Sequence, residues 1–108
     1  MQQPIKDIVA AWFGGDSSLL EVCTDQPECA WVAVLEILQR NLSSDEEALL
    51  AAGPLENLLA LHGGVFIDRV ERAAASDPRF NYLLGGVWRS GIPEEIWNRI
   101  QAARREVW

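Results

Sequence analysis

Side chains that commonly carry chemistry are scarce in this chain of 108 residues, which has one histidine, two cysteines, one tyrosine and a single lysine, Lys6. A catalytic role for His62 would need a nucleophile and an orienting acid brought in from elsewhere, and near a helix end the ring more simply meets the last carbonyls. Cys23 and Cys29 are separated by TDQPE. Even with Asp25, Glu28 and the distant His62 they make no zinc pattern, so they are read as reduced, structural thiols. Gly14-Gly15, Gly63-Gly64 and Gly85-Gly86 lack the spacing and the following Lys-Ser/Thr of a phosphate loop, and read as helix stops. No run approaches the ~18 apolar residues of a membrane span. The densest, Ala30 to Leu38, is nine long and includes Glu36. The opening MQQPIKDIVAAWFGGD has one lysine and acids on both sides of its apolar stretch, unlike a signal peptide, so a cytoplasmic location is expected. No catalytic, cofactor or metal site is expected, and the chain is not read as an enzyme.

What is present is apolar residues in helical spacing. The chain is 49% hydrophobic with five tryptophans and 23% charged, the balance of a globular domain, read as one unit over residues 1–108. Pro4 to Phe13 predicts a helix with Ile5, Ile8, Val9 and Trp12 on one face, ended by Gly14-Gly15. Ser17 or Ser18 opens a short helix through Cys23. Pro27–Asn41 is apolar on nearly every side over Ala30–Leu38, which predicts a central helix and hub. Ser43 or Ser44 starts the next helix; Ser44 and Glu47 have capping-box spacing, and Asp45, Glu46 and Glu47 fall in the first turn, where the helix dipole favours acids.

From Gly53 to Trp88 the spacing predicts three short helices. Gly53 stops the preceding helix and Pro54 begins one that ends at Gly63-Gly64. A second runs from Val65 to about Ser76, with Asp68 and Arg72 paired at i,i+4. Asp77 caps a third, begun by Pro78 and stopped by Gly85-Gly86. Arg79 and Arg89 flank that helix; they form an anion site with its N-terminus or, more simply, ion pairs with Asp77 and Glu94. After Ser90-Gly91, Pro93 opens the last helix, whose stripe is Ile92, Ile96, Ile100, Ala103 and Val107, with Trp97 and Trp108 on its flank and Arg104 and Arg105 near its end. The fold class is therefore all-α, a compact bundle of six or seven short helices with a likeness to HEAT-type helix pairs.

The pattern G-P-L-E-x-L-L-x-x-H-G, then F-I-D-R-V-E, D-P-R-F and L-G-G-V-W, resembles a family of small bacterial helical proteins known only as a domain of unknown function, over Ser43 to about Ala103. The resemblance implies an all-helical bacterial domain and supplies no activity and no site residues.

Charge is uneven. Residues 1–64 hold ten acids against Lys6 and Arg40, a net −8, while residues 65–108 hold seven arginines against six acids. Such a protein repels nucleic-acid phosphates and attracts basic partners. The expected function is that of a small acidic binding protein, of immunity or inhibitor type, that neutralises a basic protein partner through Asp45, Glu46 and Glu47. The alternative is a structural module that self-associates through Trp88 and Trp108, both at element ends where tryptophan suits an interface as well as a core. Trp12, Trp31 and Trp97 lie beside apolar stripes and are read as core.

Overall fold

Most of the helix starts read from the sequence reappear in the computed structural model, which describes residues 4–16, 18–89 and 91–108. Ser17 and Ser90, read above as a cap and part of a break, lie outside the described residues. The elements are α1 (Ile5–Phe13), α2 (Ser18–Asp25), α3 (Pro27–Leu38), α4 (Ser44–Leu50), α5 (Glu56–Ser76), α6 (Pro78–Leu84) and α7 (Glu94–Ala103), with a π-helical turn, Ala51–Leu55, joining α4 to α5. The protein is an all-helical bundle, with no strand among the described residues.

Local chemistry sets most of the boundaries. Gly15 takes φ +88°, a left-handed conformation that glycine adopts without strain, and so turns the chain out of α1. The Asp16 carboxylate accepts the Ser18 N–H at 2.7 Å, making Asp16 the polar group at the start of α2. Pro27 and Pro78 both fall in the first turn of their helices, where a missing N–H costs nothing. Asp77 caps α6 as expected. The capping box lies one residue earlier than predicted. Ser43 Oγ accepts the Glu46 N–H and Glu46 Oε1 accepts the Ser43 N–H, while Ser44 is already helical.

One expected break is not an end. At Gly53-Pro54 the chain stays helical, because the wider π turn makes room for a ring that would otherwise strike the carbonyl four residues back. The break expected at Gly63-Gly64 is present one residue earlier: the backbone leaves helical angles at His62 (φ −135°, ψ 25°), and α5 is two helices joined across that kink. Gly63 is needed for packing: a Cβ there would sit 2.9 Å from Ile96 Cγ2, so α7 crosses α5 at close range. The helical stretch from Ser44 to Ser76 is thus 33 residues long. By length and composition it could cross a membrane, although the sequence reading found no such run. Half of its most apolar window is buried against the rest of the protein, as in a core helix.

The core forms around two helices. As expected, α3 is deeply buried, with Ala33, Val34 and Ile37 wholly enclosed. The spine, however, is α5, which touches α2, α3, α6 and α7. Trp31 ties three elements together, its ring centroid 5.7 Å from those of both Phe66 and Phe80. Trp12 and Trp97 are partly buried against this core. Ion pairs fasten the outer faces: Arg69 holds Glu28 through two bonds of 2.7 and 2.9 Å, and Arg99 reaches both Asp68 and Glu71. The predicted Asp68–Arg72 pair is replaced by this contact between helices, because α7 brings a guanidinium alongside α5. Arg69 and Arg99 hold the Glu28 and Glu71 carboxyls below the usual carboxylate range. Arg79 does not pair with Asp77 either; it donates to the Arg40 carbonyl at 2.7 Å, just beyond the end of α3. Nor is an Arg89–Glu94 pair among the three salt-bridge contacts of the described residues.

Both thiols are free and buried. The Cys23 thiol donates to the Pro54 carbonyl at 3.4 Å, and burial pushes it up to about 12. A thiol reagent at pH 8 is therefore expected to leave Cys23 unmodified in the native protein, since the thiolate is the reactive form. After unfolding without reductant, intact-mass analysis should show two labels. No label after unfolding would mean a disulfide.

Candidate functional site

The Gly14-Gly15 turn folds α1 back on α2 so that the end of one and the start of the other face the outer side of α4 and the π turn. Between them lies a groove of about 340 Å³. Trp12 and Phe13 form one wall, Leu20 and Leu49 the facing side, and the buried Leu19 and Pro54 lie deeper. Trp12 and Phe13 meet edge to face with centroids 5.0 Å apart, which fixes both rings. Leu49 is 65% exposed and Phe13 39%, so a substantial apolar surface is open to solvent here.

Two carboxylates border the groove, Asp16 and Glu46. Each is oriented by a backbone N–H, that of Ser18 or Ser43, and neither enters an ion pair among the described residues. The site therefore combines apolar walls with oriented negative charge that, among the described residues, enters no salt bridge. Among the described residues no three metal-ligating side chains converge. His62 lies elsewhere, its Nε2 3.2 Å from the Thr24 carbonyl at the end of α2, so it pins α5 to α2 and does not close its own helix.

Of the candidate binding residues Asp45, Glu46, Glu47, Trp88 and Trp108, only Glu46 lines the groove; Asp45 and Glu47 share its helical turn. Trp88 is 67% exposed and apart from it, with its backbone N–H donating at 3.0 Å to Glu56, whose carboxyl burial pushes upward. Trp108 lies on α6. The sequence reading missed Phe13, Leu20 and Leu49. The available signal was a pair of bulky apolar residues just before Gly-Gly, together with a leucine one position off the buried Leu50.

A family model matches residues 3–107 of this chain. The chain belongs to DUF6869, a family of unknown function. No curated protein and no solved structure matches it. The DUF6869 match extends well beyond the Ser43–Ala103 pattern and takes in α1 and α2, so every element that builds the groove lies within the family domain.

Proposed function

We propose that this DUF6869 protein is a binding module that captures a basic, amphipathic segment of a partner protein in the α1–α2–α4 groove. A bulky apolar side chain of the partner sits among Trp12, Leu20 and Leu49, and lysines or arginines beside it face Asp16 and Glu46. Asp45 and Glu47 extend the negative rim. The observation that carries this reading is the meeting of an open apolar groove with carboxylates that enter no salt bridge among the described residues, in the half of the chain that holds a net −8. Charge of that kind speeds encounter and selects the sign of the partner, and a desolvated apolar anchor slows release. Neutralising a basic partner, as immunity and inhibitor proteins do, is the role this capture serves.

The test uses a lysine-rich amphipathic helical peptide with one leucine-phenylalanine face, compared with a glutamate-rich peptide of the same apolar face. The basic peptide is expected to shift amide resonances of residues 12–20 and 46–53, more weakly as salt rises, because exposed charges are screened beyond ~8 Å at physiological salt. Leu49→Lys should abolish those shifts. Asp45→Asn, Glu46→Gln and Glu47→Gln together should slow association and flatten the salt dependence while the fold persists, since glutamine still completes a capping box. Equal binding of both peptides, or an unchanged rate and salt slope in the triple variant, refutes the proposal.

A further inference from the structure

Beyond α7 the chain does not continue the helix that the Ile96, Ile100, Ala103, Val107 stripe predicts. It leaves at Arg104 (φ −81°, ψ 145°) and residues 104–108 run back as a strap along α6. Val107 is consequently exposed. The strap is held by four hydrogen bonds. Arg104 Nη1 donates to the Val87 carbonyl at 3.2 Å, the Arg105 N–H to Asn81 Oδ1 at 2.9 Å, and the Trp108 N–H to the Gly85 carbonyl at 3.1 Å. The fourth runs from Trp108 Nε1 to the Tyr82 carbonyl. All four donors lie within residues 104–108 and all four acceptors within residues 81–87.

The receiving surface is shaped for an indole. Trp108 stacks on Tyr82, with centroids 5.1 Å apart and planes 12° from parallel. A Cβ on Gly86 would lie 2.5 Å from the indole Cζ2, and one on Gly85 2.8 Å from its Cδ1. Neither glycine has a positive φ, so what requires glycine at these positions is the strap that lies over them. Asn81 completes the surface. Its amide donates to the Ala74 and Ala103 carbonyls at 3.1 and 3.0 Å, leaving the oxygen for the strap. The contacts on the inner side of α6, through Phe80, Leu83 and Leu84, belong to the core and do not involve the strap.

We propose that residues 81–87 form a receptor for an Arg-x-x-x-Trp segment, filled here by the chain's own strap, and that a second copy of the chain supplies the segment when the resident strap is displaced. Recognition is between two short contiguous segments, so the same four bonds and the same stack form between chains as within one. Reciprocal exchange closes a two-fold dimer without creating a new kind of contact. A short tether gives the resident strap an effective concentration of order millimolar, so the intramolecular form prevails in the unaltered protein. The receptor shares no residue with the α1–α2–α4 groove and is independent of the function proposed for it.

The test pairs two full-length variants. Gly86→Val blocks the receptor and leaves the strap free; Trp108→Ala leaves the receptor open and the strap without its indole. Each alone should keep the mass of one chain by light scattering, and an equimolar mixture at about 100 μM, ~0.1 of the millimolar tether estimate, should yield a one-to-one complex of twice that mass. A mixture that stays at single-chain mass overturns the proposal. A second arm does not depend on the folding of Gly86→Val: a labelled peptide of residues 104–108 is titrated into full-length Trp108→Ala, beside the same peptide ending in alanine. Saturable binding by the tryptophan peptide alone is expected. No binding, or equal binding of the two peptides, overturns it.

Discussion

Val34→Asp is expected to leave the chain unfolded at 25 °C. Val34 has no exposed surface in α3, and its neighbours across the core are aliphatic or aromatic. An aspartate there either stays charged without a partner or takes up a proton and remains unsatisfied. The cost is several kcal/mol against a total stability of about 5–15 kcal/mol. Val32→Asp is the control. It lies on the same helix, two residues away, with 41% of its surface exposed, and its replacement should change stability by less than about 1 kcal/mol. Circular dichroism and thermal melts distinguish the two. A Val34→Asp protein that melts like the unaltered chain would remove α3 from the core.

The second large effect is expected at Asn81, the only polar residue in the buried core among the described residues. Its amide nitrogen serves two backbone carbonyls and its oxygen one backbone N–H, linking the ends of α5 and α7 to the strap. Asn81→Asp keeps the shape and replaces the donor with a carboxylate facing the Ala74 and Ala103 carbonyls. At pH 7 the loss should be about 3 kcal/mol or more, since two acceptors lose their partner and a charge is enclosed. The sign of its pH dependence follows. Burial and the facing carbonyls raise the folded-state pKa of the new carboxyl above its unfolded value, so the folded form binds the proton more tightly. The deficit is smallest below the ordinary aspartate pKa of about 4 and grows as pH rises through the folded-state value. Urea midpoints measured from pH 4 to pH 8 should separate this from Asn81→Leu, whose deficit has no such slope. Parallel slopes for the two variants would count against the described hydrogen bonding.

Much of the helical order was legible because the marks are local. Pro27, Asp77-Pro78 and Pro93 each state a start within a few residues, and the apolar spacing of Ala30–Leu38 announces a buried helix. The first joint was misread for the same reason. Gly53-Pro54 carries the local signature of an ending, yet the π turn takes in Pro54 and the chain stays helical; Gly63-Gly64 does mark a break, at His62, but its second use, letting Ile96 lie against Gly63, depends on a distant residue. Gly85-Gly86 does end a helix, but its second use, making room for Trp108, depends on a residue more than twenty positions away. Asn81, between Phe80 and Tyr82, gives no periodic signal at all. In the groove, Glu46 was legible as part of an acidic turn. Leu49 and Phe13 were not, because a residue that faces neither core nor solvent alone leaves no stripe.

The π turn also fixes an angle. Each residue of an α-helix advances the side-chain direction by about 100°. The Ala51–Leu55 turn holds one residue more than an α turn would, so α4 is set about 100° out of phase with the direction α5 would otherwise impose on it. That offset places Leu50 in the core and Leu49 on the groove. With one residue fewer between Leu50 and Glu56, an unbroken α register would turn the whole of α4 about its axis and carry the Leu49–Glu46 edge away from Trp12 and Phe13. The groove is therefore maintained by a count of residues, and deletion of Ala52, which does not line it, would close it.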